Sequence, residues 1–515
     1  MTWRRIAGLA LLTIGVAGAS MAAENPTLAD AAEQRNPALV RSLLAARADV
    51  NAAQVDGMTA LHWAVYHDDT EMAGLLVRSG ANVNASNLYG VPVLSLAAMN
   101  GNAGLVKVLL EAGANANVSL PGGETVLMTA ARAGNVEVVK ALLARGANPN
   151  ARERRDQTAL MWAAAEGHAA VVQALVDAGA DIRSRLKSGF TPLFFAVREG
   201  HIEVTRTLLK AGANVNETLQ PGDDRAAIEV IGKYDNPAQK GTSPLLMAVE
   251  NGHFELAIAL VDAGADPNDR RTGFTPLHAV TWVRRPDASD AGDPPPIGSG
   301  RLTSLQFVRA LVERGANVNA RLEKGAPKAP YAATLLKTEG STPFLMAADR
   351  ADVPLMRELL KLSADPFVPN ADNTTPLMAA AGLGTANPLE EAGTEAEAVE
   401  AVQLLLELGA DVNAVDSNGD TAMHGAAYGN FPAVVQLLAE HGADINVWKR
   451  QDTAGRSPLF IAEGYKAGRP QPSKPTIDVL RRLMVAAGVP TDGPRPRIID
   501  IYERVPEPPK DPAKP

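Results

Sequence analysis

The phrase DGMTALHWA, residues 56–64, comes back down the chain. With Thr59 as its origin, the equivalent position recurs at Pro92, Thr125, Thr158 and Thr191, at a spacing of 33 residues. It recurs again at Ser243, Thr275, Thr342, Thr375, Thr421 and Ser457. A glycine lies 21 residues after most of these, at Gly80, Gly113, Gly146, Gly179, Gly212, Gly264 and Gly442. A fixed period of this size constrains the fold more than the length of 515 residues does. One copy is too small to bury its own apolar face, so neighbouring copies must stack.

The full unit reads KSGFTPLFFAVREGHIEVTRTLLKAGANVN at 187–216. Each recurring residue has a physical task. The Thr caps a first helix, its hydroxyl accepting an orphan backbone N–H. Pro follows at the first helical position, where a missing N–H costs nothing. Leu and Ala at helical spacing face a second helix, and small Ala lets the two approach. The Gly of E-G-H stops the first helix. V-x-x-L-L is the apolar stripe of the second, and the Gly of G-A-N/D ends it in the left-handed region. The stretch from there to the next Thr is a hairpin-like finger. Aromatic residues are only 4% of a chain that is 46% hydrophobic, which suits close-packed helices better than a β-sandwich or barrel.

These residues resemble ankyrin repeats, whose pattern runs D-x-G-x-T-P-L-H-x-A-A-x-x-G-H and then V-x-x-L-L-x-x-G-A-D-x-N. TGFTPLHAV at 272–280 and GHIEV at 200–204 are close matches. The resemblance covers about residues 27–490 and implies an all-α repeat solenoid of about twelve stacked helix-turn-helix units with finger hairpin loops. The units fall near 28–52, 55–87, 88–120, 121–153, 154–186, 187–216, 241–270, 271–320, 338–370, 371–415, 416–449 and 455–490. Insertions interrupt the period near 217–241, 284–303, 321–340, 382–395 and 464–475, and a Pro-rich, charged tail at 491–515 reads as disordered.

Residues 1–22 have Arg4 and Arg5, a short apolar core and a small-residue site at Ser20 and Ala22, the form of a secretory signal peptide. The expectation is an exported protein, periplasmic or secreted, of bacterial type. With no Cys, disulfides, Cys-zinc sites, iron–sulfur clusters and thiol nucleophiles are excluded. A net charge of −9, near −11 without the leader, does not favour nucleic acid or anionic lipid.

No G-x-S-x-G, H-E-x-x-H or P-loop appears. GSGR at 298–301 and GLGT at 382–385 lie in insertions, with no strand before them. His62, His278 and His424 take the T-P-L-H position, and His168, His201 and His253 the G-H position; only His67 and His441 stand off the pattern. The expectation is therefore no catalytic residue, no metal and no cofactor.

The resemblance implies a protein partner bound on a concave face. In the family, the positions one and three before the Thr, and seven and eight after it, point there. They hold Met58, Tyr66, Tyr89, Val91 and Met99 in the first regular units, then Phe190, Phe274, Trp282 and Tyr428. Trp63, Trp162 and Phe195 lie one step earlier, at positions half-buried between units. A second candidate surface is a run of basic residues in successive fingers, Arg152, Arg154, Arg155, Arg183, Arg185 and Lys187, followed later by Arg270 and Arg271. The expectation is a monomeric, non-catalytic protein-binding scaffold of the cell envelope. An exported effector binding a host protein, and a regulatory or assembly subunit of a periplasmic enzyme, stand as alternatives.

Overall fold

The computed structural model describes residues 26–220, 240–286, 296–323, 334–385, 388, 393–466, 471–493 and 495. The signal-peptide expectation, nearly all of the tail and part of each of the five insertions fall outside the described residues. Among the described residues there are 25 helices and no strand. The finger hairpins are represented by isolated bridges, Ala53 to Thr59, Ser86 to Pro92 and Ser119 to Thr125. The chain divides into two compact units, 1–148 and 149–515.

Twelve helix pairs follow one another. In the first unit they are Leu28–Glu33 with Pro37–Ala45, Ala60–Tyr66 with Thr70–Arg78, Val93–Asn100 with Ala103–Glu111, and Val126–Ala133 with Val136–Ala144. In the second unit the regular pairs are Ala159–Ala165 with Ala169–Asp177, Pro192–Arg198 with Ile202–Lys210, Pro244–Glu250 with Phe254–Asp262, Pro343–Asp349 with Val353–Lys361, and Ala422–Tyr428 with Pro432–Glu440. Three further pairs, Pro276–Arg284 with Ser304–Glu313, Pro376–Ala380 with Glu395–Glu407, and Pro458–Ala462 with Lys474–Ala486, carry an insertion between their two helices.

The helices start where side chains cap them. Thr59, Thr125, Thr375 and Thr421 each cap an N-terminus reciprocally with the third helical residue. Glycine ends them: Gly134 closes the first helix of its repeat at φ 77° and Gly179 closes a second helix at φ 83°. Leu and Val of the second helices, such as Leu105, Val138, Val171 and Leu208, are wholly buried, as are the Ala positions of the first helices.

The fingers are tied by a ladder of asparagines. In each rung the Asn closing one G-A-x-x-N turn donates from Nδ2 to a carbonyl of the next turn and accepts that turn's backbone N–H on Oδ1. Asn51 thus holds Gly80 O at 3.3 Å and Asn82 N at 2.7 Å, and Asn84 holds Gly113 O at 3.2 Å and Asn115 N at 2.8 Å. Asn117, Asn150, Asn216, Asn268, Asn319 and Asn413 repeat the arrangement. The rungs lie at the exposed edge of the fingers, where they fix one turn against the next.

Of the three T-P-L-H histidines, His278 bridges repeats. His278 accepts the Thr275 N–H on Nδ1 at 3.2 Å, which leaves its proton on Nε2, facing Ser341 O at 3.1 Å. Burial drives its pKa down to about 4, so the ring is neutral. The G-H histidines act on the other edge. His201 Nε2 contacts Ala165 O at 3.0 Å and His253 Nε2 contacts Arg198 O at 2.9 Å. His67, off the sequence pattern, does the same work for its repeat, reaching Glu33 O at 2.9 Å.

Candidate functional site: the finger and first-helix face

The position before the capping Thr and the position seven after it sit eight residues apart, one on the finger and one at the end of the first helix. The fold brings them together. Glu124 and Arg132 form an ion pair at 3.4 Å. Arg198 stacks over Phe190 at 5.5 Å from the ring centroid. Phe274 meets Trp282 edge to face at 5.0 Å.

This pairing divides the expected partner-facing residues. Phe190, Phe274, Trp282, Tyr428 and Met58 are buried, which corrects their assignment to an open surface. For all but Met58 the reason is mutual cover, two bulky groups desolvating each other across the elbow of one repeat; Met58 is met instead by Asn87 of the next finger, Nδ2 to Sδ at 3.6 Å. Phe190 also packs against Phe194 and Phe195, ring centroids 5.9 and 5.4 Å away. Tyr428 lies beneath Arg456 of the following finger at 5.7 Å. Val91 is half-buried. Tyr66, Tyr89 and Met99 remain open, at 55%, 74% and 54% exposure, and Leu88 beside Tyr89 is 75% exposed. Trp63 and Trp162 are half-buried and Phe195 is buried. Trp63 is held by an Nε1–H bond to Gln54 at 2.6 Å and by an edge contact with Tyr66 at 5.6 Å.

In the second unit one insertion packs onto the first helices Pro343–Asp349 and Pro376–Ala380. Leu335 N–H donates to Gly384 O at 2.7 Å, and Leu336 forms an apolar cluster with Leu345 and Ala379, on two consecutive first helices. On the opposite edge, Ser299 donates its N–H to His253 Nδ1 at 2.8 Å and its hydroxyl to Gly200 O at 3.0 Å. Residue spacing carries no signal for either contact.

The basic finger residues Arg152, Arg154, Arg155, Arg183, Arg185 and Lys187 are all exposed at the residue level. Two of them tie fingers together. Arg152 donates to Ser184 Oγ at 2.6 Å, and Arg185 reaches Thr218 O at 3.1 Å and Glu217 at 3.4 Å. Arg271 grips Asp269 at 2.7 and 2.8 Å and donates to Asn216 O at 2.9 Å.

A buried acidic group that sequence reading missed lies in fingers of the second unit. Asp420 takes the position before its Thr. Burial, with Asp416 and Asp452 nearby and only Arg456 opposing, raises its pKa to about 7. Its Oδ1 has no hydrogen-bond partner among the described residues. No group of three His, Asp or Glu side chains among the described residues is arranged to hold a metal ion.

A sequence model for ankyrin repeats in sets of three copies matches residues 28–120, 94–186, 127–218 and 389–468, and a single-repeat model matches 240–271. The chain belongs to the ankyrin repeat family. It is 31% identical over 144 residues to the mouse B-cell lymphoma 3 protein homolog, covering 27% of this chain and 24% of that protein. It is 33% identical over 245 residues to ankyrin repeat and SOCS box protein 16 of mouse and of human, covering 44% of this chain and 48% of theirs. The chain thus spans about half or less of these ankyrin relatives. The crystal structure of the human ASB11 ankyrin repeat domain is 26% identical, covers 47% of this chain and all of that one, and has a TM-score of 0.39. Ankyrin repeats are in general protein-interaction modules, and a protein-binding scaffold is the function the family carries.

Proposed function

We propose that this ankyrin-repeat chain is an exported, non-catalytic scaffold of the bacterial envelope that docks a protein partner on the finger and first-helix face of residues 28–148. The observation that carries the reading is the set Tyr66, Tyr89 and Met99, left open while the equivalent bulky residues of the second unit are buried. Large apolar groups at positions the fold does not use are interface residue types, and Tyr and Met bring contact area at low entropic cost. Export is supported by the leader-like segment 1–22. The partner is expected to approach as a preformed surface, with the chain acting as a monomer.

The test is a pull-down from periplasmic extract with the tagged chain lacking residues 1–22, run beside the Tyr66→Ala, Tyr89→Ala double variant. A partner captured by the first and lost by the second supports the reading. Equal capture by both rejects this face as the docking site.

A further inference from the structure

The asparagine ladder is interrupted at two positions, and a cavity opens beside one of them. The turn position that holds Asn in eight rungs holds Arg at 183 and Phe at 367, and the cavity lies at Phe367. At each intact rung the two groups of the next turn, a carbonyl oxygen and the N–H two residues later, meet the two ends of one carboxamide, at 2.8–3.4 Å for Nδ2 and 2.7–3.1 Å for Oδ1. After Phe367 the corresponding pair is Gly409 O and Asp411 N–H. Neither has a hydrogen-bond partner among the described residues.

The same place opens into a cavity of about 270 Å³ lined by Pro366, Phe367, Pro376 and Leu377 together with Gly409 and Asp411. Phe367 is 47% exposed, so its ring borders the opening without filling it. An acceptor and a donor, set at the spacing that eight internal carboxamides satisfy, thus stand beside an apolar wall. A carboxylate would meet Gly409 O with like charge, and an ammonium would meet Asp411 N–H donor to donor. A hydrocarbon would leave both groups unmade, which is costly once water is displaced.

We propose that the broken rung at Phe367 is a recognition pocket for the carboxamide side chain of a Gln or Asn presented by a polypeptide partner. The carboxamide NH₂ donates to Gly409 O, its oxygen accepts from Asp411 N–H, and its methylene stem packs on the Phe367 ring. The proposal rests on the protein-binding reading and places a second contact in the other unit of the chain.

The experiment titrates the full chain with N-acetyl-glutamine N-methylamide and with its glutamate counterpart, which share every backbone amide and differ only in the side-chain head group. Propionamide is a third arm that presents the carboxamide and its methylene stem without any peptide backbone. Backbone amide NMR reads Asp411. The expected result is a saturable shift of the Asp411 signal with the glutamine compound, at a Kd on the order of millimolar for so small a probe, and none with the glutamate compound. A shift with propionamide is expected too, because it carries the same carboxamide and methylene stem. Phe367→Asn should fill the rung internally, abolish the shift and slow hydrogen exchange at Asp411. Equal response to glutamine and glutamate compounds, no response to propionamide, no response at Asp411, or unchanged exchange in Phe367→Asn would each overturn the proposal. None of these readouts depends on Tyr66 or Tyr89, so this site and the docking face can fail separately.

Discussion

Phe274 and Trp282 meet edge to face with ring centroids 5.0 Å apart, one on a finger and the other in the last turn of the first helix that follows. Phe274 is 1% exposed. Truncating it removes a full aromatic side chain from a closed site, so Phe274→Ala should cost about 3–5 kcal/mol. The Tyr66→Ala and Tyr89→Ala changes, at open positions, should leave the melting temperature within a degree or two while weakening partner binding by roughly 1–2 kcal/mol each. Thermal unfolding and a binding titration on the same three variants check this. Lost stability in the tyrosine variants with unchanged binding would make those residues packing groups.

Asp352 is fully buried and is held by Arg284 at 2.7 and 3.0 Å while it caps its own helix through Leu355 N–H at 3.2 Å. Its loss leaves the Arg284 charge, itself mostly buried, without a counter-ion. Asp352→Ala should therefore lower the stability of the second unit by about 3–5 kcal/mol. Denaturant unfolding followed by circular dichroism measures it, and a shift below about 1 kcal/mol would mean that water replaces the carboxylate there.

Asp420, raised to about 7 by burial and by Asp416 and Asp452, has a folded pKa above its unfolded value. Its stabilising effect is complete below about pH 4 and is lost as pH rises through 7. Asp420→Asn, which stays neutral, should abolish this slope and gain on the order of 3 kcal/mol at pH 8 over the native chain, with little gain at pH 4. The measurement is the difference between the two chains' unfolding free energies across that range. A difference independent of pH would contradict it.

His278 has the opposite sign. Its folded pKa of about 4 lies below the ordinary 6.5, so the unfolded chain takes up the proton first. The stability this histidine confers is intact above pH 6.5 and falls away as pH drops toward 4, by up to about 3 kcal/mol. His278→Asn should flatten that part of the acid limb. The test is whether the variant and native stability curves converge between pH 6.5 and 4; parallel curves would show that the ring does not titrate with folding.

Gly200 and Gly179 share a left-handed backbone, φ 78° and 83°, but not their surroundings. A methyl group on Gly179 meets nothing within 4 Å, so Gly179→Ala should cost only the conformational term, about 1–2 kcal/mol. On Gly200 it would collide with Ser299 Oγ and the His253 ring. Gly200→Ala should thus cost clearly more, and deleting the Ser299 hydroxyl in a Gly200→Ala, Ser299→Ala double variant should recover part of the difference. Equal losses at the two glycines would mean that the inserted segment does not pack there.

The amino-acid sequence by itself determined the repeating element. Thr59 caps, Gly179 stops a helix and Leu208 is buried for reasons that act within a few residues, so each recurs at a fixed offset and can be read without knowing any neighbour. Tertiary structure decided what happens between offsets. Phe274 and Trp282 are covered because the finger folds onto the helix end, and Leu336 is covered because an insertion turns back over Leu345 and Ala379. Asp420 is shifted because stacking buries it and sets it beside Asp416 and beside Asp452, 32 residues on. The open pair at Gly409 and Asp411 exists only because Phe367, 42 residues before Gly409, cannot do what Asn does. Burial and charge are set by the sum of everything within a few ångströms, and in a stacked array most of that comes from another repeat.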